Sequence, residues 1–177
     1  LAVTNVNGTL AAGDQFTLFP AGSYSGAFTA FDLPALTTGL NWYTGNLTNN
    51  GTILVNQKPA GGSHSFTTRT NLPLVLSMAK LLAGDGDPDG NPLSIAGVAA
   101  ASPVGSSVSM DAQSIIYTPG STAGSGSFQY ELSDGFGGTD TVTVNLTITS
   151  GDTGAVSANV VYGPAIEGAE FVVRFAG

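Results

Sequence analysis

Asp85, Asp87 and Asp89 alternate with glycine and proline in the run Gly84-Asp85-Gly86-Asp87-Pro88-Asp89-Gly90-Asn91-Pro92. Alternating acids on a tight turn can aim several oxygens at one point. A hard cation such as Ca²⁺ needs that arrangement, with oxygens at about 2.3–2.6 Å and carboxylates offsetting its charge. The three aspartates are therefore candidate calcium ligands. The competing reading is a plain polar turn, since Asp-Pro-Asp-Gly and Asn-Pro are ordinary turn chemistry. An EF-hand is excluded, because no Glu stands at the twelfth position and no helical pattern flanks the run. Asp134, in Ser133-Asp134-Gly135, precedes a glycine-rich hairpin and is read first as the cap of that turn.

Other chemistry is sparse. His64 is the only histidine, so any Ser-His-Asp triad must use it. It lies in Lys58-Pro59-Ala60-Gly61-Gly62-Ser63-His64-Ser65, a stretch of linker composition. The expectation is an exposed histidine with no catalytic geometry. Besides Glu131 the glutamates are Glu167 and Glu170, in the tail, and no carboxylate sits in a distinctly apolar context that would raise its pKa. The chain is read as a non-enzyme. Trp42 and Tyr43, with Tyr24, offer a sugar-stacking platform. Burial in a small β core is the competing role for these rings.

Composition narrows the partners. Four Lys and Arg against twelve Asp and Glu give a net charge of −8 over 177 residues. That field repels nucleic acid and anionic membranes and attracts cations. Only 9% of residues are charged, against about 25% in ordinary globular domains. The polar surface must therefore be Ser, Thr, Asn and backbone, as in secreted β proteins. With no cysteine there is no disulfide, thiolate metal site or Cys nucleophile. No apolar run reaches 18 residues, so no transmembrane helix is expected. The opening at Leu1, without Met and already alternating, reads as a mature product or a piece of something longer.

The elements that must position these residues are strands. Twenty-five Gly and nine Pro leave little room for helices; the one helical candidate is a turn within Leu74–Leu82. A small N-terminal β domain is assigned to 1–57. Its strand candidates are Gln15–Phe19, Gly26–Phe31, Leu40–Tyr43 and Thr52–Val55, and its expected core is Phe16, Phe19, Phe28, Phe31, Leu33, Trp42 and Leu47. A core of that size is marginal alone. Residues 58–65 are read as linker and 66–150 as a β-sandwich. Strands are expected there at Leu93–Val98, Ser106–Met110, Ser114–Thr118, Gly126–Ser133 and Thr139–Thr149. The last is a strict period-2 run, with Val142, Val144, Leu146 and Ile148 on one face and Thr141, Thr143, Asn145 and Thr147 on the other. Residues 151–177 form a terminal strand region. There Phe171, Val173 and Phe175 alternate with Val172 and Arg174, a pattern that needs a partner sheet and suits strand complementation with a neighbour.

Two stretches carry family resemblances. Leu81-Leu82-Ala83, the acidic turn through Leu93, Ile116-Tyr117-Thr118-Pro119, Phe128-Gln129-Tyr130, Ser133-Asp134-Gly135-Phe136-Gly137-Gly138 and the closing alternating strand together resemble the bacterial cadherin-like tandem domains of large surface proteins. The resemblance implies immunoglobulin-like sandwiches in series with Ca²⁺ near the junctions. It makes Asp134 a further candidate ligand beside Asp85, Asp87 and Asp89. Gly84 and Asn91 depart from the family pattern, which has Asn and Asp there. Gly13-Asp14-Gln15-Phe16-Thr17-Leu18-Phe19, Gly26-Ala27-Phe28, Leu33-Pro34-Ala35-Leu36 and Gly39-Leu40-Asn41-Trp42 resemble autotransporter-associated β-strand proteins, which implies an exported, non-catalytic setting.

The expectation is thus an all-β, immunoglobulin- or cadherin-like structural or adhesive module on a bacterial cell surface or in a fibre. Its partners would be neighbouring domains of the same polypeptide or identical subunits. A filament subunit joined by strand complementation and a module binding surface polysaccharide are the alternatives.

Overall fold

The computed structural model describes residues 1–103 and 105–151. It holds ten strands, one short helix and three sheets. In chain order the elements are β1 Gln15–Thr17, β2 Leu40–Tyr43, β3 Thr52–Gln57, β4 His64–Arg69, β5 Leu74–Ser77, α1 Met78–Leu82, β6 Ser94–Ser102, β7 Ser107–Met110, β8 Ser114–Thr118, β9 Gly124–Ser133 and β10 Thr139–Thr149.

Residues from β4 onward form a sandwich. One sheet runs β4-β10-β9-β6 and the other β5-β8-β7. The period-2 pattern of β10 decides its orientation: Val142, Val144, Leu146 and Ile148 are buried, and the threonines between them face water. β9 alternates in phase with it, burying Phe128, Tyr130 and Leu132, because Phe128 pairs with Val144 and Tyr130 with Val142. Ile115 and Tyr117 of β8 and Leu76 of β5 close the core from the opposite sheet. Fully burying one such side chain stabilises by roughly 1.5–3 kcal/mol. β4 joins β10 in parallel, with His64 opposite Val144. A parallel pair cannot be made by a tight hairpin, so the chain must arrive at β4 from outside the sheet. The residues before His64 supply that approach.

The N-terminal layer is different. Its sheet, β1-β3-β2, is antiparallel. Ile53 and Val55 of β3 are fully buried, yet none of residues 1–46 is. Of the expected core there, only Leu47 is buried. Phe16, Phe19, Phe28 and Phe31 are exposed, and Leu33 and Trp42 are half-buried. Gly26–Phe31 forms no strand. Hydrophobic spacing identified the rings, but a three-stranded sheet with a three-residue edge strand is too small to cover them.

The expected linker is also corrected. Residues 58–65 are tied down: Lys58 N–H donates to the Gly39 carbonyl at 2.9 Å, Ala60 and Gly86 exchange backbone hydrogen bonds at 2.8 and 3.0 Å, and His64 opens β4, buried. Glycine composition suggested freedom. Here it serves close packing. A Cβ on Gly62 would overlap the Gly84 carbonyl oxygen, and one on Gly61 would overlap Val142. Phe171, Val173 and Phe175 lie outside the described residues.

A polar junction between the N-terminal layer and the sandwich

Both acidic turns meet the N-terminal layer at the same end of the sandwich. Asp134 ends the β9 side of the β9–β10 hairpin. One of its oxygens, Oδ1, accepts from the Phe136 and Gly138 amides at 2.7 and 3.0 Å, which caps the turn. Gly135 and Gly137 occupy the left-handed region there, at φ 73° and 82°, where a side chain is strained. The other oxygen, Oδ2, accepts from Asn56 Nδ2 at 2.7 Å. Asn56 lies on β3 and is fully buried beside the equally hidden Asp134. Both polar atoms of the Asn56 side chain are paired: Nδ2 also donates to Asn41 Oδ1, and Oδ1 accepts from Asn91 Nδ2, both at 3.0 Å. Asn41 Nδ2 donates onward to the Phe136 carbonyl at 2.9 Å, and Tyr43 packs its ring 4.8 Å from that of Phe136. Two strands of the N-terminal sheet are thereby fixed to one hairpin of the sandwich. Buried polar groups that are fully paired specify a single arrangement, because each alternative leaves a donor or acceptor dry.

The Asp85–Asn91 turn forms the second half of the junction. Asp85 Oδ1 accepts from the Gly62 amide at 2.8 Å and from His64 Nε2 at 3.0 Å, and Oδ2 accepts from the Tyr130 hydroxyl at 2.7 Å. The Asp85 side chain is fully buried and that of His64 nearly so. Tyr130 Oη also stands 2.9 Å from His64 Nε2. The phenol has one proton and gives it to Asp85, so its oxygen is an acceptor toward the ring. His64 Nε2 therefore carries hydrogen and serves both oxygens, an assignment that follows from the partners. Burial, then the hydrogen bond and charge of Asp85 and the charge of Asp140, push the Tyr130 phenol well above its ordinary value. It remains a neutral donor.

The other carboxylates of this end hold backbone as well. Asp89 Oδ2 accepts from the Gln57 amide at 2.7 Å, and Asp140 Oδ2 from the Gly61 amide at 2.9 Å. Asp87 Oδ1 closes its own turn by accepting from the Asp89 and Asn91 amides at 3.0 and 2.9 Å. The amides of Gln57, Ala60, Gly61 and Gly62 are thus taken, in order, by Asp89, the Gly86 carbonyl, Asp140 and Asp85. His64 was expected to be an exposed linker residue. It is instead the ring that closes this set. Its partners are an acid and a phenol, and it is buried.

The aromatic platform takes a different form from the expected one. Trp42 donates from Nε1 to the Pro34 carbonyl at 2.8 Å and leans on Phe16, with ring centres 6.0 Å apart. Tyr24 donates to the Phe19 carbonyl at 2.5 Å and accepts from the Ala21 amide at 3.1 Å. These rings brace loops. The exposed aromatic surface lies elsewhere, where Phe19 stacks on Phe28 at 5.6 Å and Phe28 meets Phe31 at 6.1 Å.

Residues 56–147 match the family model described as the bacterial Ig domain, and the match begins at Asn56 of the junction. The chain belongs to the bacterial Ig domain family. No curated protein matches it. Two solved structures are similar over part of their length. One is a nucleoside hydrolase-related hypothetical protein from Saccharophagus degradans, described as associated with carbohydrate metabolism. It is 18% identical, with a TM-score of 0.39 over 55% of this chain and 26% of that one. The other is an endo-fucoidan hydrolase of glycoside hydrolase family 107, 19% identical, with a TM-score of 0.36 over 68% of this chain and 16% of that one. The chain therefore spans about a quarter and a sixth of the lengths of these two proteins.

The cadherin-like resemblance implies calcium for this Ig domain, and the donor set can be tested against it. Calcium takes about six to eight oxygens around one point. Among the described residues no three acidic or histidine side chains converge in that way. Asp85 and Asp134 have both oxygens engaged, in separate knots. Asp87 and Asp89 each hold amides with one oxygen. Asp87 Oδ2 is buried without a partner, but one such carboxylate oxygen falls far short of the roughly six to eight a calcium shell takes. These residues as arranged do not fit a calcium shell.

Proposed function

We propose that this Ig domain is a non-catalytic structural and adhesive module of an extracellular bacterial surface polypeptide or fibre. In this reading the sandwich acts as a rigid spacer that presents the N-terminal layer. The observation that carries it is the Asn56–Asp134 pair: a buried amide and carboxylate, 78 positions apart in sequence and 2.7 Å apart in space, weld the layer to the sandwich. A flexible tether would need no such pair. The exposed, mutually contacting rings of Phe19, Phe28 and Phe31 supply an apolar contact face, and exposed patches of that kind favour association with other surfaces. The partners that suit this role are neighbouring domains of the same polypeptide or identical subunits. The low charge and the threonine face of β10 suit an exterior in which polar neutral groups replace ions.

The test is retention of the labelled chain on bacterial cell walls and insoluble polysaccharides, in parallel with hydrolase assays on ester, peptide and glycoside probes. The expected result is retention that weakens in Phe28→Ser and Phe31→Ser, with no turnover. Turnover that requires His64 would overturn the reading.

A further inference from the structure

We infer that the acidic turn is a cation-free clasp, in which the His64 imidazole and the amides of Gln57 and Gly62 supply by hydrogen bonding the partners that calcium would otherwise supply to the carboxylates. Three observations converge on this. First, two of the turn's three carboxylates are spent on hydrogen donors of the approach segment, Asp89 on Gln57 and Asp85 on Gly62, and the third, Asp87, closes the turn itself through Oδ1. A carboxylate that accepts several N–H bonds is stabilised as an anion without a metal. Second, the chain's only imidazole lies against Asp85 and shares one N–H between Asp85 Oδ1 and Tyr130 Oη. Third, the backbone is shaped around that ring. Gly84, which directly precedes Asp85, would with a Cβ stand 2.8 Å from His64 Cε1. Any other residue at position 84 would force the ring or the backbone beside it to shift. Gly84 and Asn91 are also the two positions at which the sequence departs from the cadherin-like pattern. Here Gly84 admits the histidine, and Asn91 donates to Asn56 across the junction, which an Asp there would not do.

The clasp thus couples the two layers by packing and hydrogen bonds alone. Its strength would be the same in calcium-poor and calcium-rich media, whereas a calcium-bridged joint loosens on chelation.

The inference rests on reading the chain as a structural module, and the two fail separately. A calcium response would overturn the clasp and leave adhesion standing. His64-dependent turnover would overturn the module without bearing on calcium. The experiment uses the full chain in two arms. Thermal unfolding is followed in chelator and in excess Ca²⁺, and terbium is titrated in as a luminescent calcium probe. The clasp predicts the same midpoint in both media. It also predicts either no sensitised emission or emission that Asp87→Asn and Asp89→Asn leave unchanged. A midpoint raised by several degrees in Ca²⁺, as mass action gives for a bound ligand, would overturn it. So would saturable emission lost in those variants. The role of the ring is read by hydrogen exchange: His64→Gln should speed exchange at the Gly62 amide, with no recovery on adding Ca²⁺. Unchanged exchange at Gly62 would remove His64 from the clasp.

Discussion

The sandwich and the N-terminal layer are built from similar residues and reach opposite results. Between β4 and β10 alternating strands bury Tyr117, Phe128, Tyr130, Leu132 and Val144 almost completely. Ahead of β2, Phe16, Phe19, Phe28 and Phe31 stay exposed, and the chain from residue 1 to residue 46 buries nothing fully. The difference is the number of layers. A sheet face becomes an extensive core only when another element covers it, and the β1-β3-β2 sheet, with loops rather than a second sheet of its own against it, buries only Leu47, Ile53 and Val55 among its large apolar side chains. What it has is the junction: Asn41, Tyr43 and Asn56 reach the sandwich. The N-terminal layer is thus held by the sandwich, and its own aromatic contacts contribute little.

The first way to break this comparison is to cut the core on each side. Phe128→Ala should cost about 3–5 kcal/mol, the usual range for a buried phenylalanine. Phe31→Ala, exposed, should change stability by no more than about 0.5 kcal/mol. Denaturant unfolding measures both, and similar losses would mean the layer has a core after all. Next in size is the junction. Asp134→Ala strands the Asn56 amide and two turn amides, and should cost about 1.5–3 kcal/mol. Gly62→Ala drives a Cβ into the Gly84 carbonyl and should cost about 1–3 kcal/mol, the range for overpacking a closed site. The same change at Gly8 meets open space, though its φ of 90° carries its own strain. The smallest effect is a slope. The folded-state pKa of Tyr130 is raised above 10.0. Above that pH the unfolded chain loses a proton that the folded chain keeps, so stability is whole below pH 10.0 and falls as pH rises beyond it. Tyr130→Phe should flatten that alkaline fall in a stability–pH profile.

Much of the sandwich was legible in the sequence because its signal is local. The alternation in Thr139–Thr149 named the strand and its buried face, and Ser114–Thr118 matched β8 to the residue. β6 runs longer than Leu93–Val98 because its small residues, Ala99 to Ser102, carry no hydrophobic period. The junction was hidden for the opposite reason. His64, Asp85 and Tyr130 are 21 and 45 positions apart, and Asn56 and Asp134 are 78 apart. One local signal existed for His64: His64, Phe66 and Thr68 alternate with Ser65 and Thr67 as a half-buried strand would. The glycines before it outweighed that signal, because Gly-Gly reads equally as a hinge or as a place of close approach. The acidic turn was ambiguous for a chemical reason. Alternating aspartates offer the same oxygens to a cation and to backbone amides, and spacing alone does not distinguish the two acceptors' partners.

The central claim is that the N-terminal layer is held by the junction. Trp42 is the only tryptophan and lies on β2, so its fluorescence reports the layer, while far-ultraviolet circular dichroism reports mainly the larger sandwich. Denaturant unfolding should give coincident transitions by both probes in the native chain. In Asp134→Ala the fluorescence transition should move to lower denaturant and separate from the dichroism transition. Transitions that are already separate in the native chain, or that stay coincident in the variant, would contradict the claim.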